Sequence, residues 1–136
     1  MSQAVVLLVE DEPPLRQLFT FTLQQENLIV LPTCRAAEAL QVFRSHGNIN
    51  LLVTDVQLED MTGFELAERI LEEKPGTKVL IMSGSPETEG LAAEKGYYFL
   101  AKPFFPATLK DRVLELLAGK IPAQSAMIPK QRKMTG

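Results

Sequence analysis

Four short apolar runs in this chain end in residues that could do chemistry. Leu51-Leu52-Val53-Thr54 runs into Asp55, Val5 to Val9 into Glu10, Asp11 and Glu12, Val79 to Met82 into Ser83 and Gly84, and Tyr97 to Ala101 into Lys102 and Pro103. Runs this short and this apolar read as strands buried on both faces. If they are parallel neighbours, their C-terminal ends share one edge, where open α/β sheets place their ligands. Carboxylates crowded on such an edge repel, and one would take up a proton unless a cation joins them. Magnesium suits the set, because it favours few carboxylates, a carbonyl oxygen and retained water. The expected ligands are Asp11 and Asp55 directly, Glu10 through water, and the backbone carbonyl of Gln57. Asp55 is then either a ligand only or also a nucleophile that accepts a phosphoryl group. The second role needs positive charge and a hydroxyl donor at the incoming oxygens. Lys102 supplies the charge, Ser83 the hydroxyl and small Gly84 the room, while Pro103 fixes the turn, with a cis bond as one way of doing so. Taken singly, each feature has a plainer reading: an acidic turn capping a helix, a serine at a strand end, a solvated lysine. Their shared edge is what favours the chemistry.

The elements that must position these groups alternate along the first 119 residues. The first strand is followed by Pro13-Pro14, tolerated at a helix start, and by Leu15, Leu18, Phe19 and Leu23 at helical spacing, which predicts a helix from about Pro13 to Glu26. Leu28 to Leu31 is a short strand, Ala36 to Arg44 a helix ended by Gly47, and Gly63 to Glu73 a helix stopped by Pro75-Gly76. A short, weak helix is expected around Glu87 to Lys95. A last one, begun by Pro106 and closed by Gly119, carries Leu109, Val113, Leu116 and Leu117 on one stripe. Five strands alternating with five helices predict an α/β fold: a doubly wound, five-stranded parallel sheet of flavodoxin-like order 2-1-3-4-5, a (βα)5 three-layer sandwich. The crevice of that order lies between the first and third strands, those that end in Glu10-Asp11 and Asp55.

At 136 residues the chain fits one domain. Its 46% hydrophobic and 23% charged residues are ordinary for a soluble protein and exclude disorder of the whole. No run approaches the roughly 18 apolar residues of a membrane span, and no secretory pattern follows Met1, so a cytoplasmic protein is expected. Cys34 is the single cysteine; it permits no internal disulfide and reads as a small buried apolar residue. The net charge of −3 is unevenly spread. Residues 1–119 hold all 17 acidic residues and 10 of the 14 basic ones, a balance of −7, while 120–136 hold four bases and no acid. An acidic body disfavours direct nucleic-acid binding. The basic segment, with Pro122, Pro129 and Lys130-Gln131-Arg132-Lys133, reads as a disordered tail or linker after a domain at 1–119.

The chain resembles the receiver domain of bacterial two-component response regulators over roughly residues 4–118. The resemblance rests on Glu10-Asp11, Asp55 in LLVTDVQLEDMTG, Ser83 in VLIMSG and Lys102 in FLAKPF, in the family's order and at about its spacing. It implies a phosphoprotein of a phosphorelay: Asp55 would accept phosphate, with Mg²⁺, from a sensor histidine kinase or phosphotransfer protein. Ser83 and Lys102 would then bind the phosphoryl oxygens and pull a loop inward, changing an output face. Phe99 matches the family's aromatic switch, though a permanently buried ring is an equal reading. A signalling switch is implied, with at most self-catalysed transfer and dephosphorylation, as a single-domain regulator or as the receiver of a hybrid kinase, and a homodimer is compatible with it. Against the family pattern, Glu59 stands where proline is common and Thr62 where an acid is common, which predicts a looser loop after Asp55. Gly84 replaces a common alanine. The stretch from Ser83 to Phe99 is short and contains Pro86 and Gly90, which predicts a short or irregular fourth helix and an altered output face. Gln57 and Ser85 occupy positions that in this family influence hydrolysis. Two rivals are a Mg²⁺-dependent aspartyl phosphatase of the haloacid-dehalogenase kind, disfavoured because Asp55 does not end the first strand, and a degenerate receiver used only for docking.

Overall fold

The computed structural model describes residues 3–119; the basic segment 120–136 lies outside the described residues. Five strands, β1 (Val5–Val9), β2 (Ile29–Thr33), β3 (Leu51–Asp55), β4 (Lys78–Ser83) and β5 (Tyr98–Ala101), alternate with five helices. These are α1 (Pro13–Gln24), α2 (Ala36–His46), α3 (Gly63–Glu73), α4 (Pro86–Lys95) and α5 (Pro106–Leu117). All pairings are parallel and the order is β2-β1-β3-β4-β5, the doubly wound arrangement that the alternation predicts.

Successive strand residues point to opposite faces, and both faces are apolar because helices cover both. Val5, Leu7, Val9, Leu52, Val79 and Ile81 meet α2, α3 and Ala92 of α4 in one layer. Val6, Leu8, Leu51, Val53, Leu80 and Met82 meet Phe19 and Leu23 of α1 and Leu109, Val113 and Leu116 of α5 in the other. The strands therefore sit at the centre of a three-layer sandwich, and their C-terminal ends emerge together.

Local chemistry sets most boundaries. Prolines occupy the first turns of α1, α4 and α5, where an N–H would have no partner. α2 ends on Gly47 at φ 84°, a left-handed conformation that costs glycine little. β2 begins and ends later than Leu28–Leu31 and includes Pro32, which is tolerated because β2 is an edge strand. α2 runs on to His46, β5 begins at Tyr98 rather than Tyr97, and Cys34 is half-buried, because it sits in the turn between β2 and α2 rather than under a helix. The fourth helix is short, as expected, but regular over its ten residues. No described helix is long and apolar enough to cross a membrane.

Candidate functional site

The sheet register brings the chemical residues to one edge. Asp55 is the last residue of β3 and pairs with Met82, one position before Ser83, while Ser83 pairs with Ala101, one position before Lys102. The Val56 N–H donates to the Met82 carbonyl at 3.2 Å and the Lys102 N–H to the Ser83 carbonyl at 2.8 Å, so the ladder extends into both loops. The Lys102–Pro103 peptide is cis. Asp11, Asp55, Gln57, Ser83, Gly84 and Lys102 line a cavity of about 250 Å³.

At this edge, Glu10, Asp11 and Asp55 each offer a carboxylate oxygen, all within 4.8 Å of one another. Glu10 is fully buried and held on every side. Its N–H donates to the Thr33 carbonyl at 3.0 Å, its Oε2 accepts from the Glu12 N–H at 3.2 Å, and its carbonyl accepts from Arg16 Nη1 at 2.9 Å. The Lys102 ammonium bridges the acids, 3.2 Å from Glu10 Oε1 and 2.6 Å from Asp55 Oδ1. The Lys102 ammonium is thus the charge that faces the buried Asp55 Oδ1. Ser83 is buried, and its Oγ accepts from the Ser85 N–H at 3.0 Å. A side chain at Gly84 would meet only the Lys102 carbonyl, at 4.0 Å, so an alanine would also fit there.

Burial pushes the Asp55 carboxyl up to about 7; Lys102 pulls it down and Glu10 raises it further. Lys102 loses solvation, which alone would lower it, but Asp55 and Glu10 together hold the ammonium above its usual value. A buried acid that titrates near neutrality in a cleft, beside a cation and further acids, marks a functional site. The donors also fit a hard cation: three carboxylates converge, and neither thiolate nor imidazole is among the groups that line the cavity.

The loop after Asp55, expected to be loose, is tightly fastened. Thr62 and Glu65 form a reciprocal capping box at α3, the Gly63 N–H donates to the Val56 carbonyl at 2.7 Å, and Gln57 bridges Thr62. A Cβ on Gly63 would overlap the backbone carbonyl oxygen of Asp55, so glycine lets α3 start against the end of β3. At the tip, Asp60 accepts from the N–H groups of Ala36 and Ala37. The pattern Thr62-x-x-Glu65 signals the capping box in the sequence, whereas nothing local signals Asp60, whose partners lie 24 and 23 residues away. Phe99 is buried with its ring in the layer beneath α2, α3 and α4.

The family profile described as "Response regulator receiver domain" matches residues 6–114. The chain belongs to this family. Receiver domains are signalling switches rather than conventional enzymes, and they hold Mg²⁺ on acidic residues such as those gathered here. This receiver domain is 32% identical over 118 residues to the sensor kinase CckA of Brucella abortus, covering 84% of the chain and 12% of that protein. It is 30% identical over 123 residues to the transcriptional regulatory protein GlrR of Escherichia coli, covering 88% of the chain and 28% of that protein. Among solved structures it is similar to a CheY-like receiver domain of Methanospirillum hungatei, at a TM-score of 0.80 and 27% identity over 88% of this chain and 97% of that one. The BeF3-activated DrrB receiver domain gives a TM-score of 0.76 at 25% identity, over 86% and 99%.

Proposed function

We propose that Asp55 is the phosphoacceptor of this receiver domain and that a histidine phosphorylated on a sensor kinase or phosphotransfer protein is its donor. An Asp55 carboxylate oxygen attacks phosphorus, a P–O bond forms, and the P–N bond to the histidine breaks, returning its electron pair to the ring. Lys102 lies beside the attacking group and offsets negative charge on the equatorial oxygens. Ser83 turns its O–H toward one of these oxygens while its Oγ still accepts from Ser85. Glu10, Asp11, Asp55 and the Gln57 carbonyl would hold Mg²⁺, with Glu10 the most rigidly placed. When bound, Mg²⁺ neutralises charge that builds up between the acids and the phosphoryl oxygens.

The single observation that carries this reading is the convergence of Asp55, Glu10, Asp11 and Lys102 at the C-terminal edge of the sheet. Hydrolysis of the acyl phosphate is then self-catalysed, with Gln57 and Ser85 at positions that influence its rate and Pro103 fixing the turn that carries Lys102. Movement of Ser83 and reorientation of Phe99 transmit the change to an output surface, in a cytoplasmic protein that works without binding nucleic acid itself and that a homodimer would suit. The whole protein is either a lone regulator or part of a hybrid kinase. Incubation with acetyl phosphate, with and without Mg²⁺, followed by intact mass measurement, tests the phosphoacceptor. One Mg²⁺-dependent phosphoryl adduct that Asp55→Asn abolishes supports it. Turnover of many phosphomonoesters would point to a phosphatase, and no adduct to a docking module.

A further inference from the structure

The loop that follows Asp55 is tied at its tip to a helix that takes no direct part in the site. Arg35 occupies the N-cap position of α2 and supplies no side-chain acceptor, so the first amides of that helix need a partner from elsewhere. Asp60 provides it with both oxygens: Oδ1 accepts from the Ala36 N–H at 3.0 Å and Oδ2 from the Ala37 N–H at 2.8 Å. Beside this contact, Glu59 and Arg35 approach to 3.9 Å across the same gap. The loop so fastened carries the Gln57 carbonyl, and its base is closed by the Gly63-to-Val56 hydrogen bond and the Gln57–Thr62 bridge.

We propose that Asp60 is a positioning residue for the cation site: by capping α2 from a distance it fixes the loop from Val56 to Thr62, and with it the Gln57 carbonyl, before a cation arrives. The inference rests on the reading of Glu10, Asp11, Asp55 and Gln57 as the Mg²⁺ site. A loop already ordered loses less freedom on binding, so the cap raises affinity without touching the ion. The coupling is reciprocal: whatever the cap adds to cation affinity, the cation adds to the cap.

The test is titration of the wild-type chain, Asp60→Ala, Asp60→Asn and Glu59→Gln with Mg²⁺ alone and with Mg²⁺ plus beryllofluoride, by calorimetry. Amide exchange at Ala36 and Ala37 is followed in parallel, and circular dichroism confirms that each variant is folded. Asp60→Ala should bind about three- to tenfold more weakly, the span expected when a cap of ordinary strength is lost and much of it is transmitted. Asp60→Asn, which keeps one carbonyl acceptor, should fall between the two. Glu59→Gln, which removes a loop charge but leaves the cap, should bind as the wild type does. In the wild type, the cation should slow exchange at Ala36 and Ala37, an effect that a merely structural cap would not show and that Asp60→Ala should lack. Unchanged affinity in folded Asp60→Ala, an equal loss in Glu59→Gln, or wild-type amides indifferent to the cation would each overturn the positioning role while leaving the site reading intact. A wild-type chain that binds no Mg²⁺ would overturn both.

Discussion

Asp55 sits where a charge is costly, 6% exposed between Glu10 and Lys102. Its carboxyl is raised from the ordinary 3.8 to about 7, chiefly by burial, so the folded chain holds this proton more tightly than the unfolded chain does. That contribution to stability is complete below the unfolded value and is lost as pH rises through the folded one. Thermal scans without Mg²⁺ should therefore show Asp55→Asn gaining on the wild type as pH climbs from about 4 to about 8, and added Mg²⁺ should narrow the gap for the wild type alone. A gap independent of pH would sink this account of the site. Lys102 bears the opposite burden, because without it a fully buried Glu10 faces Asp55 uncompensated. Lys102→Ala should cost about 3 kcal/mol in metal-free denaturant titrations, with part of the loss recovered by Mg²⁺.

Helix ends, more than helix interiors, decide how the elements meet the site. α3 begins against the carbonyl of Asp55 because residue 63 lacks a side chain, so Gly63→Ala must push either α3 or the end of β3 aside. We expect it to cost about 3 kcal/mol and to weaken Mg²⁺ binding, read by calorimetry on whatever folded protein remains. α4 is the opposite case. It buries only Ala92 and Ala93, has no side-chain N-cap bond, and carries Gly90 in its middle, where an added Cβ would meet nothing within 4 Å. Gly90→Ala should therefore stabilise the protein by about 1 kcal/mol, raising the thermal midpoint by roughly 3–6 °C. No change would mean that α4 contributes little to the cooperative unit. Asp60 belongs to this scale as well: burial would raise its carboxyl, but the amides of Ala37 and Ala36 outweigh that and hold it low. Its support for α2 is accordingly present above the unfolded value and fades as pH falls through the lower folded one.

Across the whole molecule, one sheet serves two apolar layers, so adjacent residues of β1 carry separate cores. Leu7 faces α2 and α3 and Leu8 faces α1 and α5, both fully buried. Leu7→Ala and Leu8→Ala should each cost about 3 kcal/mol, with one cooperative transition in both variants by circular dichroism; separate transitions would show that the layers unfold independently. The order of strands and helices was legible in the chain because apolar runs, prolines and glycines punctuate it locally, and strand ends announced Asp55, Glu10, Asp11, Ser83 and Lys102. What sequence could not reveal depended on contacts between distant segments. Cys34 is half-buried because of where the turn before α2 lies, and β2 admits Pro32 because it is an edge. The loop after Asp55 is firm because Asp60 reaches α2 and because Gly63 lies against a backbone oxygen. By itself the sequence determined which residues end the strands, since hydrophobic period and breakers act over a few residues. Only the tertiary structure decided which acid is sealed and which carbonyl is anchored, because burial and hydrogen bonding are properties of neighbours that the chain brings together only on folding.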